Sequence, residues 1–133
     1  MSANAPVARR CITAPGAPPA VGPYTHAVRH DDLLFCSGAL PLDPDTQELV
    51  AGSLAEETAQ CLRNLVAVCE AAGTRLEQAL RTTIYTTRLD AFAEINQAYG
   101  EFFADSPPAR ITVGVAALPK DARVEIDAVV AVS

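Results

Sequence analysis

An arginine and two carboxylates near the C-terminal end are spaced so that they could form a small anion-binding pocket. They are Arg110, Glu125 and Asp127, within PPARITVGVAALPKDARVEIDAVVAV, residues 107–132. A guanidinium can grip a carboxylate through two parallel hydrogen bonds. β-Branched residues alternate with others on both sides of residues 117–121, the pattern of two strands with a short connection. Successive strand side chains face opposite ways, so Ile111, Val113 and Val115 share one face and Arg110, Thr112 and Gly114 the other. Val124, Ile126, Ala128, Val130 and Val132 repeat the apolar face, with Glu125 and Asp127 opposite. A simple antiparallel hairpin then predicts Arg110 as a direct or diagonal neighbour of Glu125 or Asp127. The same pattern also describes a solvated sheet surface with a weak cross-strand ion pair, so the rest of the chain has to decide between them.

At 133 residues the sequence predicts one domain, 1–133, with a core that needs no staples and a loose segment at residues 1–8. Sixteen acidic against ten basic residues give a net charge of -6, which argues against binding a phosphate backbone. Cys11, Cys36, Cys61 and Cys69 form no CxxC pair and no zinc spacing with His26 and His30. Reduced, mostly buried thiols and no metal site are therefore expected. No apolar run follows Arg9-Arg10 and none reaches spanning length, so neither a leader nor a membrane segment is expected and the predicted location is cytoplasmic.

Several elements must position the charged cluster. Residues 9–13 predict an edge strand. Residues 14–24, APGAPPAVGPY, hold four prolines and two glycines and form a stiff loop that fixes Tyr24. That phenol either lines a pocket or packs over the edge of the core. Residues 25–29 and 33–37 read as short strands, and Gly38 after Ser37 marks a bulge or a close backbone approach. Ser53 with Glu56 forms a capping box for a helix whose stripe includes Leu54, Cys61, Leu62, Leu65 and Cys69, and Gly73 stops it in a left-handed conformation. Residues 80–87 form a strand between two helical segments, which points to βαβ connections. Asp90 is placed to cap the second helix, with Phe92, Ile95, Tyr99, Phe102 and Phe103 as its apolar stripe and Asn96 to one side.

The fold class is thus α/β (α+β), a six-stranded mixed sheet with two helices packed on one face. Two helices cover only one face of such a sheet. The other face, expected to carry Arg110, Thr112, Gly114, Glu125, Asp127, Val129 and Ala131, suits a subunit interface better than water. An oligomer with the charged pocket at the seam is predicted.

VGPYTHAV (21–28), FCSGALPLDP (35–44), NLVAVCEAAG (64–73), residues 82–103 and PARITVGVAALPKDARVEIDAVV (108–130) together resemble the RidA family, also called the YjgF family. The resemblance implies a chorismate mutase-like fold, a homotrimer with ligand pockets between subunits, and no metal or organic cofactor. It further implies hydrolysis of reactive 2-imino and enamine acids, of the 2-iminobutanoate/2-iminopropanoate type, to 2-oxo acids and ammonia.

Carried over by motif, Arg110 of PAR would bind the substrate carboxylate, and Glu125 would hold or activate the attacking water. Tyr24, Ser37, Gly38, Asn96 and Thr112 would line the substrate pocket. The sequence departs from the commonest pattern at His26 and Ala39, where Gln is frequent, at Thr112 for Cys, and at Gln47 for a turn Gly. These departures bear on the substrate's side chain. The alternatives are a deaminase with a specialised substrate (aminoacrylate, aminomuconate or a biosynthetic imine), or a non-catalytic module that binds small carboxylates or unfolded protein. A ribonuclease, a role attached to some relatives, is disfavoured by the acidic charge.

Overall fold

The structure, a computed structural model, describes residues 8–103 and 105–133. Except for Ala8, the segment expected to be loose lies outside them. Six strands form one sheet: β1 (Arg10–Ile12), β2 (Ala27–His30), β3 (Leu33–Ala39), β4 (Ala79–Thr86), β5 (Ala109–Gly114) and β6 (Val124–Ala131), in the order β1-β2-β3-β6-β4-β5. All neighbours are antiparallel except β4 and β5, which are parallel, so the sheet is mixed. Two helices, α1 (Leu54–Ala71) and α2 (Phe92–Gly100), cover one face. Among the described residues no helix is long and apolar enough to cross a membrane.

The core follows from strand alternation. On β6, Val124, Ile126, Ala128 and Val130 are buried against Leu62, Leu65 and Cys69 of α1 and Ile95 and Tyr99 of α2. Ser53 caps α1 by accepting from the Glu56 N–H at 3.2 Å, while the Glu56 carboxylate folds back over Gly52. Gly73 ends α1 at φ +81°, with Thr74 N–H donating to Cys69 O at 2.9 Å. Cys36, Cys61 and Cys69 are core residues, and Cys11 is exposed. A hydrogen bond with Cys69 and burial push the Cys36 thiol far up, so it packs as a neutral apolar group.

Three expectations need correction. Asp90 does not cap α2, because it lies in a 3₁₀ turn (Leu89–Ala91) and takes Arg88 instead, at 3.0 and 3.1 Å. The last two strands do not form a hairpin, because β4 lies between them. α2 carries the chain from β4 over to a parallel β5, as parallel pairing requires, and residues 115–123 then cross back to β6. The assignment of faces on β5 is also reversed. Arg110 and Thr112 pair with Thr82 and Ile84, whose side chains are buried on the helix side. Ile111 and Val113, 45% and 37% exposed, therefore share the open face with Glu125 and Asp127. Gln47 does adopt the positive φ of +63° that a turn glycine would take.

Candidate active site

The sequence-predicted residues fall into two groups on opposite faces of the sheet. The first lies at its β5 edge. Residues 92, 96 and 99 of α2 recur at helical spacing and present Phe92, Asn96 and Tyr99 along one side. The Arg110 guanidinium lies over two of them, its Cζ 5.3 Å from the Phe92 ring centroid and 5.0 Å from that of Tyr99. Tyr99 is held in place by a 2.6 Å hydrogen bond with the Thr82 hydroxyl. Burial pushes its phenol up, while Thr82 and Arg110 oppose that shift.

Among the described residues Arg110 has no carboxylate partner. Asn96 Oδ1 is buried with no hydrogen-bond donor, a cost that a ligand or partner group would relieve. Thr112 lies two residues beyond Arg110 on the same side and is half-buried. The rings orient the guanidinium without neutralising it, which leaves its N–H groups available for an anion.

The second group surrounds Glu125 on the open face. Its strand neighbour β3 changes register between Cys36 and Ala39, so Ser37-Gly38 forms the bulge anticipated from sequence. A Cβ on Gly38 would come within 2.6 Å of Glu125 Oε2, so the Glu125 carboxyl rests on bare backbone. Across the sheet Tyr85 pairs with Glu125, and its hydroxyl donates to Asp127 Oδ2 at 3.2 Å. Thr83 N–H donates to Asp127 Oδ1 at 3.1 Å. Asp127 is thus held by two donors, whereas Glu125 has no cation among the described residues. Burial, and then the Asp127 charge, push the Glu125 carboxyl above its ordinary value, which makes it a better proton acceptor than an ordinary carboxylate.

Tyr24, Ser37 and Gly38 also line a recess of about 430 Å³ counting its open mouth, between the proline-rich loop, the end of β3 and α1, the helix that covers the other face. Tyr24 is 45% exposed at the rim and accepts from Val21 N–H at 3.2 Å. It lines the recess and does not cap the core edge. The Ser37 hydroxyl donates to Thr25 O at 2.7 Å.

His26 has a clear structural task. Its Nδ1 accepts from Ala14 N–H at 2.9 Å, which leaves Nε2 to donate to Pro18 O at 2.8 Å. The neutral ring therefore pins the loop at two points and has no nitrogen left for a substrate or a metal. Among the described residues no three His, Cys, Asp or Glu side chains cluster as metal ligands would.

Sequence reasoning missed Tyr85 and the two aromatic supports of Arg110. The signal for Tyr85 was present in LRTTIYTT, where period two puts it with Thr83 opposite the buried Ile84. The supports required knowing that α2 lies beside β5. Arg110 and Glu125 are not brought together within one chain, because β4 separates their strands and their side chains leave opposite faces.

Comparison with known proteins gives a consistent result. The family model described as Endoribonuclease L-PSP matches residues 14–132. The RutC family protein y4sK of Sinorhizobium fredii is 48% identical over 122 residues, covering 92% of this chain and 97% of that protein. The human 2-iminobutanoate/2-iminopropanoate deaminase is 40% identical over 121 residues, 91% of this chain and 88% of that protein. Among solved structures, E. coli TdcF with bound serine superposes with a TM-score of 0.89 at 35% identity, covering 93% of this chain and 99% of that one.

Proposed function

The chain belongs to the Endoribonuclease L-PSP family, that of the YjgF, RidA and RutC proteins, and from that premise we propose that it hydrolyses 2-imino acids and their enamine tautomers to 2-oxo acids and ammonia, at sites shared between the subunits of a homotrimer. The observation that carries this reading is the separation of the two charges. An unpartnered Arg110 lies on one face at the sheet edge, and an uncompensated Glu125 lies on the other. Neither can reach the other in its own chain. A second copy whose β5 edge meets the open face unites them, and it also covers Phe35, Ile111 and Val113.

In the joint site Arg110 of one subunit holds the substrate carboxylate, with Asn96 and Thr112 beside it. Glu125 of the next subunit takes a proton from water as the oxygen attacks the imine carbon. It returns that proton to nitrogen and then takes the remaining hydroxyl proton as the C=O bond forms and ammonia leaves, and passes it to solvent. One water is consumed and no electrons change hands. The protonated imine is already electrophilic, so orientation and one proton carrier suffice, with no metal or organic cofactor. A net charge of -6 is unfavourable for RNA, the substrate that the family's name suggests.

The test couples a pyridoxal-phosphate threonine dehydratase to this protein and follows 2-oxobutanoate. The wild type should accelerate its appearance, and Arg110→Ala should lower kcat/KM about 100-fold or more while the oligomer persists. Absence of acceleration by the wild type, or full activity in Arg110→Ala, would refute the assignment.

A further inference from the structure

A second recess opens on the helix-covered side, between α1 and the chain that follows it. Val66 and Glu70, four apart and therefore on one side of α1, border it. Arg75, Leu76 and Glu77 from the turn before β4, and Phe102 from the chain just past α2, complete its lining. It measures about 470 Å³ counting its open mouth. Leu76 is fully buried, and Val66 and Phe102 are half-buried against the main core, so the floor is apolar. Glu70, Arg75 and Glu77 are exposed and form the rim.

Two features set this recess apart from a merely solvated groove. Charges of both signs border it, yet among the described residues none of the three takes part in an ion pair. A guanidinium and two carboxylates are thus each open to a separate charge. The acidic side also coincides with the C-terminal end of α1, whose last turn holds Glu70 and no basic residue, so the helix dipole adds to the negative charge there. A bare amine would leave Arg75 unpaired, and a bare carboxylate would meet two others. A molecule with an ammonium, a carboxylate and a short apolar body satisfies the rim and the floor together.

We propose that this recess binds a zwitterionic 2-amino acid with an aliphatic side chain, its ammonium on Glu70 and Glu77, its carboxylate on Arg75 and its side chain over Val66, Leu76 and Phe102. The site shares no residue with the Arg110 and Glu125 chemistry, so it does not rest on the imine-hydrolysis reading. Its charged contacts are at an exposed rim, which limits each to about fivefold in affinity at low salt and less as salt is added. An isobutyl side chain that leaves water for the floor adds about tenfold or more over glycine.

The test follows the amide signals of the isotope-labelled full chain by NMR while L-leucine is added at low ionic strength. Saturable shifts should centre on residues 66–77 and 102 with a Kd of about 1 mM or tighter, in the wild type and in Arg110→Ala alike. Glycine should bind about tenfold more weakly, and leucinamide and N-acetyl-leucine about fivefold more weakly. Arg75→Gln should remove the advantage of leucine over leucinamide, and Glu70→Gln combined with Glu77→Gln its advantage over N-acetyl-leucine. These positions are exposed, so the substitutions leave the core intact.

Three results overturn the proposal: no saturable shift around the recess at about 20 mM leucine, shifts confined to the Arg110 side and lost in Arg110→Ala, or discrimination among the ligands that survives in the rim variants. Imine turnover is read separately by the coupled dehydratase assay, so either reading can fail without the other.

Discussion

The two faces of the sheet are built from alternate residues of the same strands, yet only one of them is finished by its own chain. On the helix side Val124, Ile126 and Val130 are fully buried, and even the cation at the rim, Arg110, lies on two aromatic rings. On the open side Phe35 and Ile111 are 46% and 45% exposed, and two carboxylates stand among them without a cation among the described residues. An apolar patch bearing an unneutralised charge is costly in water and becomes favourable when a complementary surface covers it. The finished face carries a cation and the unfinished face a carboxylate, the two charges that the proposed assembly would pair.

The most forceful way to break this comparison is to mix two inactive proteins. Arg110→Ala and Glu125→Gln are each expected to lose about 100- to 1,000-fold in kcat/KM. If each site takes its arginine and its glutamate from different subunits, co-refolding the two variants in equal amounts restores sites in which an intact Arg110 meets an intact Glu125. Random assembly into a ring gives about a quarter of the wild-type activity. Both residues acting from one chain would give no recovery, and that result would refute the division between faces.

A second test charges the unfinished face. Ile111→Asp places a carboxylate where the proposed partner packs, at a side chain that is 45% exposed in the lone chain. Light scattering at micromolar concentration should show the trimer replaced by monomer, with activity down about 100-fold and monomer stability changed by no more than about 0.5 kcal/mol. A trimer that survives with full activity would mean the open face is not the seam.

Much of this was legible in the sequence because period and punctuation carry it. α1 lies between Ser53 and Gly73 as read, and the bulge at Ser37-Gly38 was marked by the glycine. The strand between two helices signalled a βαβ unit, and the parallel β4–β5 pair fulfils it. The adjacency of β5 and β6 in sequence suggests a hairpin, but the crossover rule prevails, because residues 115–123 are longer than tight hairpin loops.

The face of Arg110 could not be read from alternation alone. An edge strand tolerates a long cation on its covered side when aromatic rings flank it and its head stays wet. The task of His26 was also hidden, since its partners Ala14 and Pro18 become neighbours only when the loop folds back.

The smallest expected effect concerns pH and asks whether Glu125 is compensated at all. Burial and the charge of Asp127 raise its carboxyl above the ordinary 4.5, so the folded chain binds this proton more tightly than the unfolded chain does. The stability from that proton is complete below the ordinary value and is lost as pH rises through the raised folded value. Glu125→Gln imitates the protonated carboxyl. In the Ile111→Asp monomer it should therefore raise Tm by a few degrees at about pH 7–8 and give no gain below about pH 4. In the assembled protein, where Arg110 of the neighbouring subunit would face Glu125, the ionised carboxyl gains a cation and the same substitution should give a smaller gain or a loss. Equal pH profiles in the two backgrounds would mean that Glu125 meets no cation on assembly, and the complementarity of the two faces would then reduce to their apolar surfaces alone.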